Sequence, residues 1–195
     1  MDMNLFLKKL HAILLNSQES WDKASEDRGM RNTLIYLLFL ILLGIVVSFI
    51  IDFIELQYAS PELLSRFTPF AQASGLSISV LLFLTTIGIY LLMFIGTFIV
   101  PVAIHIFIKM FKGQGKYAET YRAFVYGATP TLLLYNIPFI GKLARLYTIY
   151  LQTVGLSKLH KISIGKAAAS WILGSILFTL LVVGIAWMFF LLRFR

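Results

Sequence analysis

The chain has 195 residues, 59% of them hydrophobic and 13% charged, with a net charge of +8 and no cysteine. A mean hydropathy of +0.85 excludes an ordinary soluble domain, whose surface needs more polar sequence than this, and the lack of cysteine excludes disulfides, thiolate metal sites and a cysteine nucleophile. The basic residues stand in connectors between apolar runs, which argues against a nucleic-acid partner and for anionic lipid headgroups.

Leu5, Phe6, Leu10, Ile13 and Leu14 recur at helical spacing with Lys8, Lys9 and His11 between them. That pattern describes a short amphipathic helix, lying in the headgroup plane or packed on a bundle. Asn16 and Glu19 have capping-box spacing and open a polar helix through Trp21 that Gly29 can close; Trp21 suits an interfacial anchor. Residues 1–32 are expected to form this cytosolic or interfacial segment, ahead of a membrane domain over 33–195.

Thr33 to Ile51 is nineteen residues without a charge, enough to cross about 30 Å of hydrocarbon at about 1.5 Å per residue. It defines a first span over about 33–55. No small-residue cleavage pattern follows it, so the span is expected to stay in the mature protein. Tyr58 to Ala73 holds Pro61, Glu62, Arg66 and Pro69 and reads as an external connector with a single surface helical turn.

From Phe67 to Ile108 there is no Asp, Glu, Lys or Arg. The second span, about 76–108, is longer than one crossing needs, and Gly96 and Pro101 are the expected points of a bend or break, with a long tilted helix as the alternative. Lys109, Lys112, Lys116 and Arg122 surround Gly113-Gln-Gly115, a flexible basic turn. A third span over about 121–137 is interrupted by Pro130 and a fourth over about 139–156 carries Lys142 and Arg145 in its first turns. Ala167 to Leu192 is twenty-six uncharged residues, giving a fifth span over about 167–192.

The fold class that follows is all-α: a polytopic membrane protein, a bundle of five transmembrane helices behind a short N-terminal amphipathic region. With the N-terminus cytosolic, internal segments carry twelve Lys and Arg (five before the first span, four in 109–122, three in 158–166) against five outside. The positive-inside rule favours this orientation. A four-span arrangement, with the fourth segment left outside, gives eleven against six; five spans are preferred because that segment is long enough and apolar after Arg145.

At Gly113-Gln-Gly-Lys-Tyr, Phe124-Val-Tyr-Gly-Ala-Thr-Pro, Ile137-Pro-Phe-Ile-Gly and Gly155-Leu-Ser-Lys-Leu-His-Lys-Ile-Ser before Lys166-Ala167, the chain resembles the Yip domain family of small multispanning membrane proteins. Asn16 to Trp21 resembles the entry segment of its prokaryotic members. The resemblance covers most of the chain and lies in the ordered combination of motifs. It implies a five-span bundle with a cytosolic N-terminal region, in a compact form like archaeal and bacterial members, and hence a prokaryotic cell membrane. Eukaryotic relatives are associated with Rab-type GTPases and vesicle transport; this chain lacks their long polar N-terminal region.

No H-E-x-x-H or G-x-S-x-G occurs, and His11, His105 and His160 lie on separate segments, so neither a catalytic set nor a metal or cofactor site is expected. Asp52 and Glu55 share a helical face, as do Arg145, Thr148 and Gln152; an ion pair between Arg145 and one of the acids is a candidate, with separate snorkelling of each charge as the alternative. His105 lacks an acidic partner in the sequence and is read as a structural hydrogen-bonding group. Tyr126, Thr129 and Pro130 mark a kinked polar stretch of the third helix, and Gln152 a polar position in the fourth. Lys109, Lys112, Lys116, Lys158, Lys161 and Lys166 are the candidates for lipid headgroup or partner contact. Ala123/Gly127 and Ser170/Gly174 have the spacing of close helix contacts, within the bundle or in a homo-oligomer.

The expected function is therefore that of a non-enzymatic integral membrane protein that organises membrane or recruits partners through its basic face. The alternative is a small transporter or channel with a pathway along broken second and third helices.

Overall fold

The computed structural model describes residues 3–15, 21, 30–59 and 61–193. The capping-box pair Asn16 and Glu19, and the helix closure at Gly29, lie outside them. Every regular element among the described residues is a helix: α1 (Met3–Leu15), α2 (Arg31–Gln57), α3 (Pro61–Ser74), α4 (Ile78–Met110), α5 (Tyr117–Gly127), α6 (Thr129–Leu134), α7 (Ile140–His160) and α8 (Ile164–Arg193). Three of them are long and apolar enough to cross a membrane: α2, α4, and α8 over Ile164–Met188. The helices of the third and fourth expected spans are not among these three; they carry Glu119 and Arg122, and Lys142, Arg145 and Lys158, respectively.

α5, α6 and α7 sit at the centre, with α2 and α4 packed on one side and α8 closing against α4 and α7. The core is built from Tyr36, Leu37 and Leu40 of α2, Ile104 and Ile108 of α4, Tyr121, Val125 and Tyr126 of α5, and Leu151 and Leu156 of α7. Outward faces are apolar too, as Leu38, Leu42, Leu91, Leu92, Leu180 and Val183 are all exposed, the inverse of a water-soluble surface. α1 takes the bundle-packed alternative: Phe6 and Ile13 are buried, and the Phe6 ring lies 5.3 Å from Tyr36 and 5.5 Å from Phe39.

Two expectations are corrected, those for the connector after the first span and for Trp21; the second span takes its long-helix alternative, and the third is interrupted beside Pro130 as expected. The connector after the first span is a fourteen-residue helix, α3, begun by Pro61 where proline's fixed φ fits the first turn. α4 runs unbroken for 33 residues through Gly96 and Pro101. Beside the proline the Tyr117 hydroxyl donates to the Phe98 carbonyl at 2.9 Å, a tie from α5 to the turn that precedes Pro101; the carbonyl that proline itself leaves without an intrahelical donor is that of Thr97. The third segment is two helices, α5 and α6, joined at Ala128. Pro130 sits in the first turn of α6, where its missing N–H costs nothing, and the Ala128 N–H still reaches the Phe124 carbonyl at 3.0 Å. Trp21 is no interfacial anchor: it is 1% exposed, because Gly155 leaves a slot that the indole edge fills, a Cβ there falling 2.7 Å from Trp21 Cη2.

Candidate functional site at the basic end of the bundle

The two basic connectors, far apart in sequence, form one surface. The loop after α4 turns back at Gly113, whose N–H reaches the Ile108 carbonyl at 2.9 Å, and the Gln114 N–H donates to the carbonyl of His160 at 3.1 Å. Lys109 Nζ holds the Gly113 carbonyl at 3.1 Å. The glycines are needed for contact: a Cβ on Gly115 would stand 2.6 Å from His160 Nδ1, and one on Gly113 would stand 2.5 Å from Ile108 Cγ2. The Gly113-Gln-Gly115 turn is thus a packed lid over His160.

The second connector is tied equally closely. Ser157 Oγ donates to the Ile162 carbonyl at 2.7 Å, and the Ile162 N–H returns to the Ser157 carbonyl at 3.2 Å. Lys109, Lys112, Lys116, Lys158, Lys161 and Lys166 are consequently gathered at one end of the molecule, all six exposed. The backbone at Lys112 and Lys161 is left-handed, with φ of 62° and 54°, where glycine is the cheaper residue.

Beneath this surface lies a polar pair that sequence reading scattered. His105 Nδ1 is 2.6 Å from Thr120 Oγ1, and the same oxygen is 2.8 Å from His160 Nε2. The threonine hydroxyl has one proton to give. His160 Nδ1 is buried without a partner, and an orphaned acceptor is less costly than an orphaned N–H. The network therefore assigns the His160 proton to Nε2, donating to Thr120, whose own proton goes to His105 Nδ1. Burial, then the neighbouring His105 and Lys109, push the His160 pKa down to about 4 against an upward pull from Glu119. Arg122 is buried nearby in α5, 2% exposed.

The other predicted polar residues are placed as follows. Tyr126 lies edge-on to Tyr36, centroids 4.9 Å apart, and receives Lys9 Nζ at 3.4 Å. Thr129 Oγ1 meets the Tyr36 hydroxyl at 2.8 Å and donates to the Tyr126 carbonyl at 2.7 Å, so the break before Pro130 is lined by satisfied groups. Gln152 bridges three helices: its Nε2 donates to the Phe124 carbonyl at 2.9 Å and its Oε1 accepts from Trp171 Nε1 at 2.7 Å.

At the opposite end, Asp52 accepts from Thr86 Oγ1 at 2.6 Å and from Asn136 Nδ2 at 3.2 Å. Glu55 is exposed, and both acids line a cavity of about 120 Å³ with Leu64 and Phe67. Arg145 is not brought to either acid; its guanidinium stacks over the Tyr135 ring, 4.7 Å from the centroid. Among the described residues no group of three or more His, Asp or Glu side chains is arranged to hold a metal.

A family model for the Yip1 domain matches residues 12–188. The chain belongs to the Yip1 domain family. No curated protein and no solved structure matches it. With its apolar exterior and three helices of membrane-crossing length, this Yip1 domain protein is an integral membrane protein. In the Yip1 frame the matched region takes in both basic connectors, the histidine pair and the Asp52 cluster. What sequence reading missed was the joining of Thr120 and His160; the signal for His160 is the pair of glycines, Gly113 and Gly115, that approach it, and Thr120 has none.

Proposed function

We propose that this chain is a non-enzymatic, five-span membrane protein of the Yip type, with a cytosolic N-terminus, that organises membrane or recruits partners through its basic face. The observation that carries the reading is the joining of the two connectors by the Gln114–His160 hydrogen bond, which gives six lysines one surface at the ends of α4 and α8. An anionic lipid surface attracts each such lysine by about 1 kcal/mol, so six act together where scattered ones would not. For α7 as a fourth span, the exposed positions Leu143, Leu146, Tyr147 and Tyr150 give it an apolar outward face, while Thr148, Gln152 and Thr153 are turned inward.

A conducting pathway draws less support. α4 is unbroken, and the break between α5 and α6 is filled by Tyr36 and Thr129.

The cysteine-free chain allows one experiment to test both orientation and role. A fluorophore on Ser163→Cys, at the basic end, or on Gln57→Cys, at the other, is placed in bilayers of mixed neutral and anionic lipid. Ser163 is expected to label from the cytosolic side and to show anionic lipid enriched about threefold around it, a gain lost at high salt and on replacing Lys112, Lys158 and Lys166 by alanine. Gln57 is expected to label from outside with no enrichment. Reversed sidedness, or equal lipid composition at both positions, overturns the reading.

A further inference from the structure

We propose that the basic face contains a discrete site for the phosphodiester headgroup of an anionic lipid, in the recess between the α4–α5 loop and the end of α7. The inference rests on the reading of that face as membrane-directed and names its ligand. The recess has a volume of about 650 Å³ and is lined by Gln114, Gly115, Lys116 and Glu119 on one wall and by Lys158, Leu159 and Lys161 on the other, with Trp21. Its size suits a headgroup with its glycerol backbone. Among the described lining residues the ammonium groups of Lys116, Lys158 and Lys161 stand with the carboxylate of Glu119, so a phosphate is attracted and a zwitterionic choline is opposed by its own cationic end.

The walls are fixed before any ligand arrives. One is pinned by Gln114 to the His160 carbonyl and by Gly115 lying flush on the His160 ring. The other is held by the Ser157–Ile162 pair of bonds. On this second wall stands Lys161, in left-handed backbone at φ 54°, the position that ends α7 and that glycine would occupy without strain. A lysine kept there at a conformational cost, lining a basic recess, with no partner for its ammonium among the described residues, is an outlier that points to a ligand. Glu119 spends one carboxylate oxygen on the Lys116 backbone N–H at 2.8 Å, where it serves as a helix cap as well as a charge.

Location decides the source of the phosphate. On one wall the recess lining begins at Gln114, four residues after α4 ends at Met110, and on the other it includes Lys161, three residues before α8 begins at Ile164; both helices are of membrane-crossing length. That is the depth of the lipid phosphates themselves.

The test uses the full chain, delipidated in a neutral detergent, titrated with dihexanoyl phosphatidylglycerol, dihexanoyl phosphatidylcholine and inorganic phosphate. The glycerol lipid is expected to bind saturably at one site, at least tenfold tighter than the choline lipid or inorganic phosphate. Lys116→Ala and Lys161→Gly are each expected to weaken it about fivefold. Lys161→Gly is the decisive variant because it also removes the left-handed strain, so the protein should melt higher without ligand while binding worse. Lys112→Gly relieves the same kind of strain outside the recess and should leave binding within about twofold. Glu119→Gln keeps the cap and should tighten binding. Equal affinity for both lipids, or Lys161→Gly binding like the parent chain, overturns the site; inorganic phosphate binding as tightly as the glycerol lipid overturns the lipid assignment. These soluble probes in detergent require neither an orientation nor an enriched bilayer, so failure here leaves the lipid enrichment around Ser163 to stand or fall separately.

Discussion

Gly44→Ala is expected to destabilise the protein by about 3 kcal/mol, the combined scale of overpacking and a lost buried hydrogen bond. The reason is local. A methyl group at 44 collides with the Leu132 carbonyl oxygen and falls 2.7 Å from the Tyr90 hydroxyl. That hydroxyl donates to the Leu132 carbonyl at 2.8 Å and is paired with Ser48 Oγ at 3.0 Å, so one added carbon pushes α2 off both α4 and α6. Neither backbone oxygen nor a doubly bonded tyrosine can move aside cheaply. Thermal or denaturant unfolding in detergent measures the effect, with Gly88→Ala and Gly96→Ala as controls. At those two positions a Cβ meets nothing within 4 Å, so alanine should be neutral or gain up to about 1 kcal/mol of helix propensity. A Gly44→Ala protein as stable as its parent would mean that α2 does not cross the bundle at this residue.

Thr120→Val is the second large loss. Valine keeps the shape and removes the one oxygen that both His105 and His160 contact, at 2.6 and 2.8 Å. One ring nitrogen is then left unsatisfied in the buried interior, at His160, and another at the half-buried His105, a cost of about 2–4 kcal/mol. Thr120→Ser restores the hydroxyl and should recover all but about 1 kcal/mol.

The same pair sets a pH dependence. His160 in the fold has a pKa of about 4 against an ordinary 6.5, so it is neutral when folded, whereas the unfolded chain takes up its proton first as pH falls. Between pH 6.5 and 4 the unfolded state binds more protons, and stability falls with falling pH across that window and is intact above it. His160→Gln should flatten this slope; an unchanged slope would place its origin in another group.

How much of this was legible in the sequence depended on the range of the cause. α2 and α8 were legible because nineteen and twenty-six uncharged residues have one physical outcome in lipid. α3 was not, since Pro61, Glu62, Arg66 and Pro69 read as loop by composition while Leu64 and Phe67 find a cavity wall against α2. Pro101 looked like a break by residue type, whereas α4 continues through it while packed against α8, α5 and α2, contacts that no local pattern encodes. Arg145 was matched to the acids by charge, yet Tyr135 stands within 4.7 Å and Asp52 is taken by Thr86 and Asn136. The six lysines were legible as basic; that they form one surface follows from a backbone hydrogen bond between residues 114 and 160, and no local pattern encodes that. Family membership came through because it rests on motif order along most of the chain.

α8 is fastened at one end only. Gly174 lets its backbone approach α4, a Cβ there falling 2.6 Å from Ile104 Cα, while every residue from Thr179 to Met188 is exposed. Amide hydrogen exchange in this helix should therefore divide in two. Protection up to Gly174 reports the opening of the bundle as a whole, whereas beyond Thr179 the amides keep their bonds within the helix under surrounding hydrocarbon, without a packed neighbour, and should exchange faster in thin bilayers than in thick ones, with the rest of the protein unchanged.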